Sequence, residues 1–334
     1  MIDLFYKDLN TCLNNDENLY KYHGLLNFFF LNYSSKKNII DYSEKRNAAY
    51  IREANEISYV LNKKGIKHVF LKSMSIITDL YSNLSEKRFG DIDILVDKAQ
   101  IESLEKVFFD LGYQYGIFDY VEKKIIIPKR TEIVSRKLFS HQVYEMCKYK
   151  NGITYNLDIN YLFQWRENDS SNIDLKYLLN NYTELYDDGI LRVSRFKPLI
   201  NFIHMCCHYY NEAVFFMHNE YYVGKDPKEL KLSRILDIVL MYEKYKFDVN
   251  ELYSVSKQFG IIDKVSYCLK IINTISPRYL SNQTLEIFDV FSSNVDIFFD
   301  NKFNCQIWNV PLITRINNPN IKMNFIKSLE ISDE

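Results

Sequence analysis

Hydrophobic positions along residues 1–64 fall at helical spacing. The clearest stretch is "SEKRNAAYIREANEISYVLNKKG" at 43–65, where Ala48, Ile51, Ala54, Ile57 and Leu61 line one face and Gly65 supplies a stop. The pattern then changes. "IKHVFL" at 66–71 reads as a short buried strand, "SMSIITDLYSNL" at 73–84 as a helix, and "DIDILV" at 91–96 as a second strand. Asp97 is placed to cap a further helix, "KAQIESLEKVFFDLG" at 98–112, which ends at Gly112. Strand-like segments follow at 123–128, 141–149 and 152–160, and from about residue 174 the pattern turns helical. After Pro311 the chain is weakly patterned, and it carries no internal repeat or low-complexity tract. These elements predict an α+β fold in three parts. An N-terminal helical segment at 1–65 and a C-terminal helical domain at 166–334 flank a small mixed sheet with helices at 66–165.

The second strand poses a physical problem. Asp91 and Asp93 interrupt an apolar run of Ile92, Ile94, Leu95 and Val96. Residues two apart on a strand share a face, so the two carboxylates point the same way and repel one another in a partly buried setting. A positive partner is needed, and a divalent cation is one candidate. A third strand carries Asp158 between Leu157 and Ile159; if the strands are neighbours, Asp158 joins the pair. Carboxylates grouped in this way suit cations that take oxygen ligands and leave room for phosphate oxygens. Two such ions stabilise the attacking and leaving oxygens of an in-line phosphoryl displacement. About twenty residues upstream, the turn at Lys72-Ser73 offers backbone N–H groups, a hydroxyl and an ammonium to a phosphate chain. Together the parts fit metal-dependent nucleotidyl transfer.

Composition narrows the class. With 334 residues and 47% hydrophobic content, the chain can bury a large core, and 27 Tyr with 23 Phe exclude a disordered chain. Lys+Arg 42 against Asp+Glu 43 provides no global pull toward nucleic acid or an anionic membrane. The longest apolar window, "LLNFFFLNY", is too short to span a bilayer, and the start "MIDLFYKDLN" lacks a basic signal-peptide region. Six scattered cysteines without CxxC spacing read as reduced and mostly buried. A soluble, cytoplasmic protein is expected.

From Phe70 to Tyr113 the sequence resembles the uncharacterised nucleotidyltransferase group of the DNA-polymerase-β-like superfamily. The resemblance is carried by Leu71-Lys72, Leu80-Tyr81, Gly90 to Val96 and Leu111-Gly112-Tyr113, and extends more loosely over about 60–245. It implies a polymerase-β-like core, metal-bound Asp91 and Asp93, and Asp158 as a third carboxylate. It also implies nucleotide contacts by Lys72, Ser73, Gly90 and one of Lys87 and Arg88. Ser73 stands where the family usually has Gly, and Asn160 where it usually has His. His204 and His208, and Arg234 with Asp237, match later helical motifs. From the residues alone, the histidines read as core or cleft-lining groups and Arg234–Asp237 as an ion pair. Lys129, Arg130, Arg136 and Lys137 read as a solvated loop.

The expected activity is therefore Mg²⁺- or Mn²⁺-dependent transfer of a nucleoside monophosphate from a nucleoside triphosphate such as ATP. The acceptor would be a hydroxyl or phosphate of a small molecule or peptide, and the resemblance implies a place in natural-product biosynthesis. Three alternatives remain open: sugar transfer from a sugar nucleotide to a phosphorylated peptide, a toxin-like tRNA nucleotidyltransferase, and a non-catalytic nucleotide-binding module.

Overall fold

The amphipathic stretch around Ile51 forms the long helix Lys37–Lys63, and it ends where the periodicity ends. Gly65 turns left-handed at φ +68°, and its N–H and that of Ile66 close the helix on Asn62 O and Leu61 O. The same device ends the helix Ile101–Asp110: Gly112 has φ +86°, and Tyr113 N donates to Phe108 O at 2.9 Å. Asp97 caps the entry to that helix by accepting from Ala99 N at 2.9 Å.

A computed structural model describes residues 1–33, 36–88, 90–164, 173–215, 231–300, 304–318 and 325–326. It divides into two compact units, Phe30–Asn201 and the combination of Met1–Phe29 with Phe202–Glu334. Hydrophobic periodicity put the boundaries at 65/66 and 165/166 instead. The difference comes from hydrogen bonds that periodicity does not report. Asn55, on the long helix, donates to Ile190 O at 2.9 Å and accepts from Arg192 N at 2.7 Å, which ties helix and later strands into one body.

Within Phe30–Asn201 the strands are β1 (His68–Phe70), β2 (Asp91–Val96), β3 (Gln114–Tyr115), β4 (Ile117–Asp119), β5 (Lys124–Ile126), β6 (Met146–Lys150), β7 (Ile153–Asn160), β8 (Thr183–Asp187) and β9 (Arg192–Phe196). Seven of them form one mixed sheet in the order β3-β6-β7-β2-β1-β9-β8, and β4 pairs with β5 apart from it. β2 and β7 run parallel at the centre, with Ile92, Ile94, Leu157 and Ile159 completely buried. The long helix covers the face bearing those apolar residues. Its Tyr50 ring packs 5.1 Å from that of Tyr155, which shares a face with Leu157 and Ile159. The opposite face is left for the polar positions of β2 and β7.

Four expectations are corrected here. The helix expected at 73–84 is a 3₁₀ turn, Lys72–Ser75, followed by one short helix, Ile77–Leu80. The strand expected at 141–149 begins at Met146. Lys129 to Lys137 lie not in a loop but at the start of and along a helix, Arg130–Phe139, entered by Glu132 reaching back to Lys129 N at 3.0 Å. From 174 the expected helix forms only over Leu175–Asn181; the β8–β9 hairpin then follows and extends the sheet beside β1.

The other unit is mainly helical and includes Ile2–Cys12, Leu232–Tyr245, Val249–Gln258 and Ile262–Ile275. Its core mixes aliphatic and aromatic side chains, as where Phe5 meets Tyr279 edge-on at 5.5 Å. A small three-stranded sheet joins it at Ile297–Phe299, Cys305–Trp308 and Phe325–Ile326. All six cysteines are free, four of them buried. Among the described residues no helix is long and apolar enough to cross a membrane.

Candidate functional site

Parallel pairing of β2 with β7 sets Asp93 opposite Asp158 and Asp91 opposite Asn156. One ligand oxygen from each of Asp91, Asp93 and Asp158 lies within 4.8 Å of the others, and among the described residues this is the group that could hold a metal ion. Asp93 is buried, while Asp91 and Asp158 are half-buried. Burial, and then the Asp93 and Asp91 carboxylates, push Asp158 well above the usual carboxylate range. Glu145 adds to that push; it lies one residue before β6 and was not singled out from the sequence. An all-oxygen set of this kind fits a hard divalent cation.

The protein itself supplies part of the compensating charge. Lys72 Nζ is 2.5 Å from Asp93 Oδ1. To reach it, Lys72 adopts a left-handed backbone with φ +53°, a conformation that costs a non-glycine residue about 1–3 kcal/mol. Two bonds hold it there: Leu71 N donates to Asp93 O at 3.0 Å, and Ser75 Oγ donates to Lys72 O at 2.8 Å. Ser73 follows directly and is buried.

The loop entering β2 carries the other nucleotide-contact candidates. Lys87 is buried, with its ammonium 5.7 Å from the Tyr81 ring centroid, whereas Arg88 is exposed. Gly90 is exposed too, and a Cβ placed on it would meet nothing within 4 Å, so its lack of a side chain answers no internal packing need. The loop is held from beneath by two residues that sequence reasoning missed. Asn47 Nδ2 reaches Leu84 O at 2.6 Å and also Lys87 O. The Tyr50 hydroxyl lies 2.8 Å from Gly90 O and 2.6 Å from Thr154 O. Burial pushes the Tyr50 phenol up to about 12, so it stays a proton donor at neutral pH. Asn47 and Tyr50 are three apart on the long helix, and two polar groups on a core-facing stripe were the available signal.

The remaining candidates lie in the other unit. His204 and His208 stack nearly parallel, 4° between planes and 6.4 Å between centroids. His208 Nε2 is 3.4 Å from Glu212 Oε1, and Arg234 Nε is 3.5 Å from Glu212 Oε2. Against the effect of burial, His208, Arg234 and Lys231 hold Glu212 well below the usual carboxylate range. Arg234 thus meets a glutamate on a different helix, and Asp237, three residues on from it, is buried.

A family model described as "uncharacterised nucleotidyltransferase" matches residues 37–276. No curated protein matches the chain.

Proposed function

The chain belongs to the uncharacterised nucleotidyltransferase family, and from that premise we propose that it moves a nucleoside monophosphate from a nucleoside triphosphate to a hydroxyl or phosphate of a small-molecule or peptide acceptor. It is an enzyme of the transferase class, with nucleotide as substrate. The observation that supports the finer reading is the register of Asp93 with Asp158, with Asp91 completing an oxygen cluster within 4.8 Å.

Asp91, Asp93 and Asp158 are the residues that would hold Mg²⁺ or Mn²⁺. When bound, the metal would compensate the charge of the phosphates and of the leaving pyrophosphate. The chain's own groups have separable tasks. Lys72 brings a positive charge to the mouth of the carboxylate cluster, and Ser73 offers an N–H and a hydroxyl next to it. Asp158 is the carboxylate suited to accept the proton of an acceptor hydroxyl. Lys87 and Arg88 flank the strand end from which Asp91 and Asp93 project. A peptide or small metabolite from a biosynthetic route is the acceptor class we assign, since the chain's net charge of −1 provides no general attraction for RNA.

Nucleotide binding is expected to require divalent metal. Titration calorimetry with ATP, GTP, CTP and UTP, each in Mg²⁺ and then in EDTA, checks this, and equal affinity in both conditions would remove the metal assignment. The product's mass separates the rival chemistry, an added nucleoside monophosphate against an added hexose.

Two side chains of the turn should contribute unequally. Ser73→Ala is expected to weaken triphosphate binding modestly, since a hydrogen bond to a charged group is worth about 1.5–3 kcal/mol at most and the backbone donors stay. Lys72→Ala should weaken it more, as it also removes a charge. Unchanged affinity in both variants would show that this turn is not where the phosphates bind.

A further inference from the structure

Outside the carboxylate cluster, Arg195 is a buried charge held by several polar contacts. It lies on β9, beside β1, where Phe70 pairs with it in register. Although charged, it is only 3% exposed. Its Nη1 donates to Ser75 O at 3.0 Å and to Asp79 Oδ2 at 2.7 Å, and its Nε to Glu184 Oε1 at 2.9 Å. The guanidinium lies 3.9 Å from the centroid of the Tyr186 ring. Two of these bonds end on the segment that follows Lys72.

A second chain of bonds reaches the same segment. Asn201 Nδ2 donates to Ser75 Oγ at 3.0 Å, and Ser75 Oγ donates to Lys72 O at 2.8 Å. Asn201 is completely buried. The peptide unit is planar and trans, so fixing the Lys72 carbonyl also fixes the Ser73 N–H, which lies in the same plane and points the opposite way. Arg195 and Asn201 therefore converge on Ser75, one on its carbonyl and one on its hydroxyl, and Ser75 holds Lys72 in its left-handed conformation.

We propose that Arg195 and Asn201 are positioning residues for nucleotide, acting through Ser75 to aim the Lys72 ammonium and the Ser73 N–H at the triphosphate. This rests on the reading of the Lys72-Ser73 turn as the phosphate site. A relaxed Lys72, returned to an ordinary backbone conformation, would lose both its approach to Asp93 and the orientation of the peptide that follows. The planar fork of Arg195 bridges Ser75, Asp79 and Glu184 together, which the single ammonium of lysine does not reproduce.

The test uses the full chain, with ATP, GTP, CTP and UTP titrated in Mg²⁺ to find the nucleotide bound, and melting curves for every variant. Arg195→Lys and Asn201→Ala are each expected to lower affinity for that nucleotide about tenfold, the scale of one well-placed hydrogen bond. In a Lys72→Ala background the same changes should cost no more than about threefold, because the ammonium they aim is gone and only their hold on the Ser73 N–H remains. Equal losses in both backgrounds would mean a general loosening of the fold and would overturn the proposal. Unchanged affinity in Asn201→Ala overturns it as well, and that variant decides alone if Arg195→Lys fails to fold. Wild-type protein that binds no nucleotide in Mg²⁺ removes the nucleotidyl reading and this inference with it. Metal-dependent binding that is indifferent to both changes removes only the roles of Arg195 and Asn201.

Discussion

Asp91→Asn and Asp93→Asn are each expected to lower nucleotidyl transfer by a factor on the order of 10³ or more while leaving the protein folded, and Asp158→Asn to do nearly the same. Each change preserves side-chain volume and removes one charge from a cluster whose oxygens lie within 4.8 Å. Metal-assisted phosphoryl chemistry depends on that charge, because the carboxylates would hold the ions that compensate the transferring group in the transition state. Stability should move differently from activity. In metal-free protein, Asp91→Asn relieves carboxylate repulsion, so its melting temperature in EDTA stays level or rises. Asp93→Asn relieves the same repulsion but also gives up the Lys72 ion pair at 2.5 Å, so the two effects offset and its melting stays near wild type. Asp158 is raised by burial and by its two acidic neighbours, so its neutralisation costs little stability. Product mass spectrometry and melting curves in EDTA check the pair of expectations. An Asp91 or Asp93 variant that melts early yet turns over at the wild-type rate would make the cluster a structural feature.

Lys148→Met is expected to destabilise Phe30–Asn201 by about 3–5 kcal/mol, the cost of leaving a buried charge without its partner. Lys148 on β6 and Glu53 on the long helix form an ion pair whose side chains are only 7% and 4% exposed. The Tyr113 hydroxyl donates to the same Glu53 carboxylate at 3.0 Å, and the Lys148 ammonium lies 5.1 Å from the Tyr113 ring centroid. Removing the lysine leaves Glu53 with a single neutral donor in an apolar interface. A drop of about 10 °C in melting temperature follows from that loss in a unit of this size. The paired change Glu53→Leu with Lys148→Met should recover most of it, because a well-packed apolar pair of similar volume replaces a desolvated ionic one. Nucleotide affinity well below the melting temperature should not change. Lys148 stands opposite Tyr155 in the ladder, on the sheet face turned away from Asp158. A double variant that melts no higher than Lys148→Met would show that this pair does more than compensate its own burial.

The site's carboxylates were legible because strand geometry is local. Alternation alone puts Asp91 and Asp93 on one face and identifies Asp158 as a polar interruption in a third strand. The stops at Gly65 and Gly112 and the cap at Asp97 were equally legible, since each depends on backbone conformations within one turn. That Asp158 stands opposite Asp93 was conditional on the strands being neighbours, and only the sheet order supplies that condition.

The rest depended on partners far along the chain. The β8–β9 hairpin reads weakly as strand because Thr183, Glu184, Asp187, Arg192 and Arg195 are polar; it is a strand pair because β9 completes the edge of β1, more than a hundred residues earlier. The helix expected from Ser73 is interrupted for a similar reason. Lys72 is drawn to Asp93 and Ser75 to Arg195 and Asn201, and these bonds outweigh the intrinsic preference of a Ser-Met-Ser-Ile-Ile run. Asn47 and Tyr50 are only two polar residues on a core-facing stripe until Leu84, Lys87 and Gly90 offer them their carbonyls. The sequence by itself determined which residues carry charge, which face they share and where helices stop, because those follow from periods of 2 and 3.6 residues and from capping chemistry. Only the tertiary structure decided which strands are adjacent, which backbone is strained and which buried donors hold it, because hydrogen bonds between distant segments leave no period in the chain that makes them.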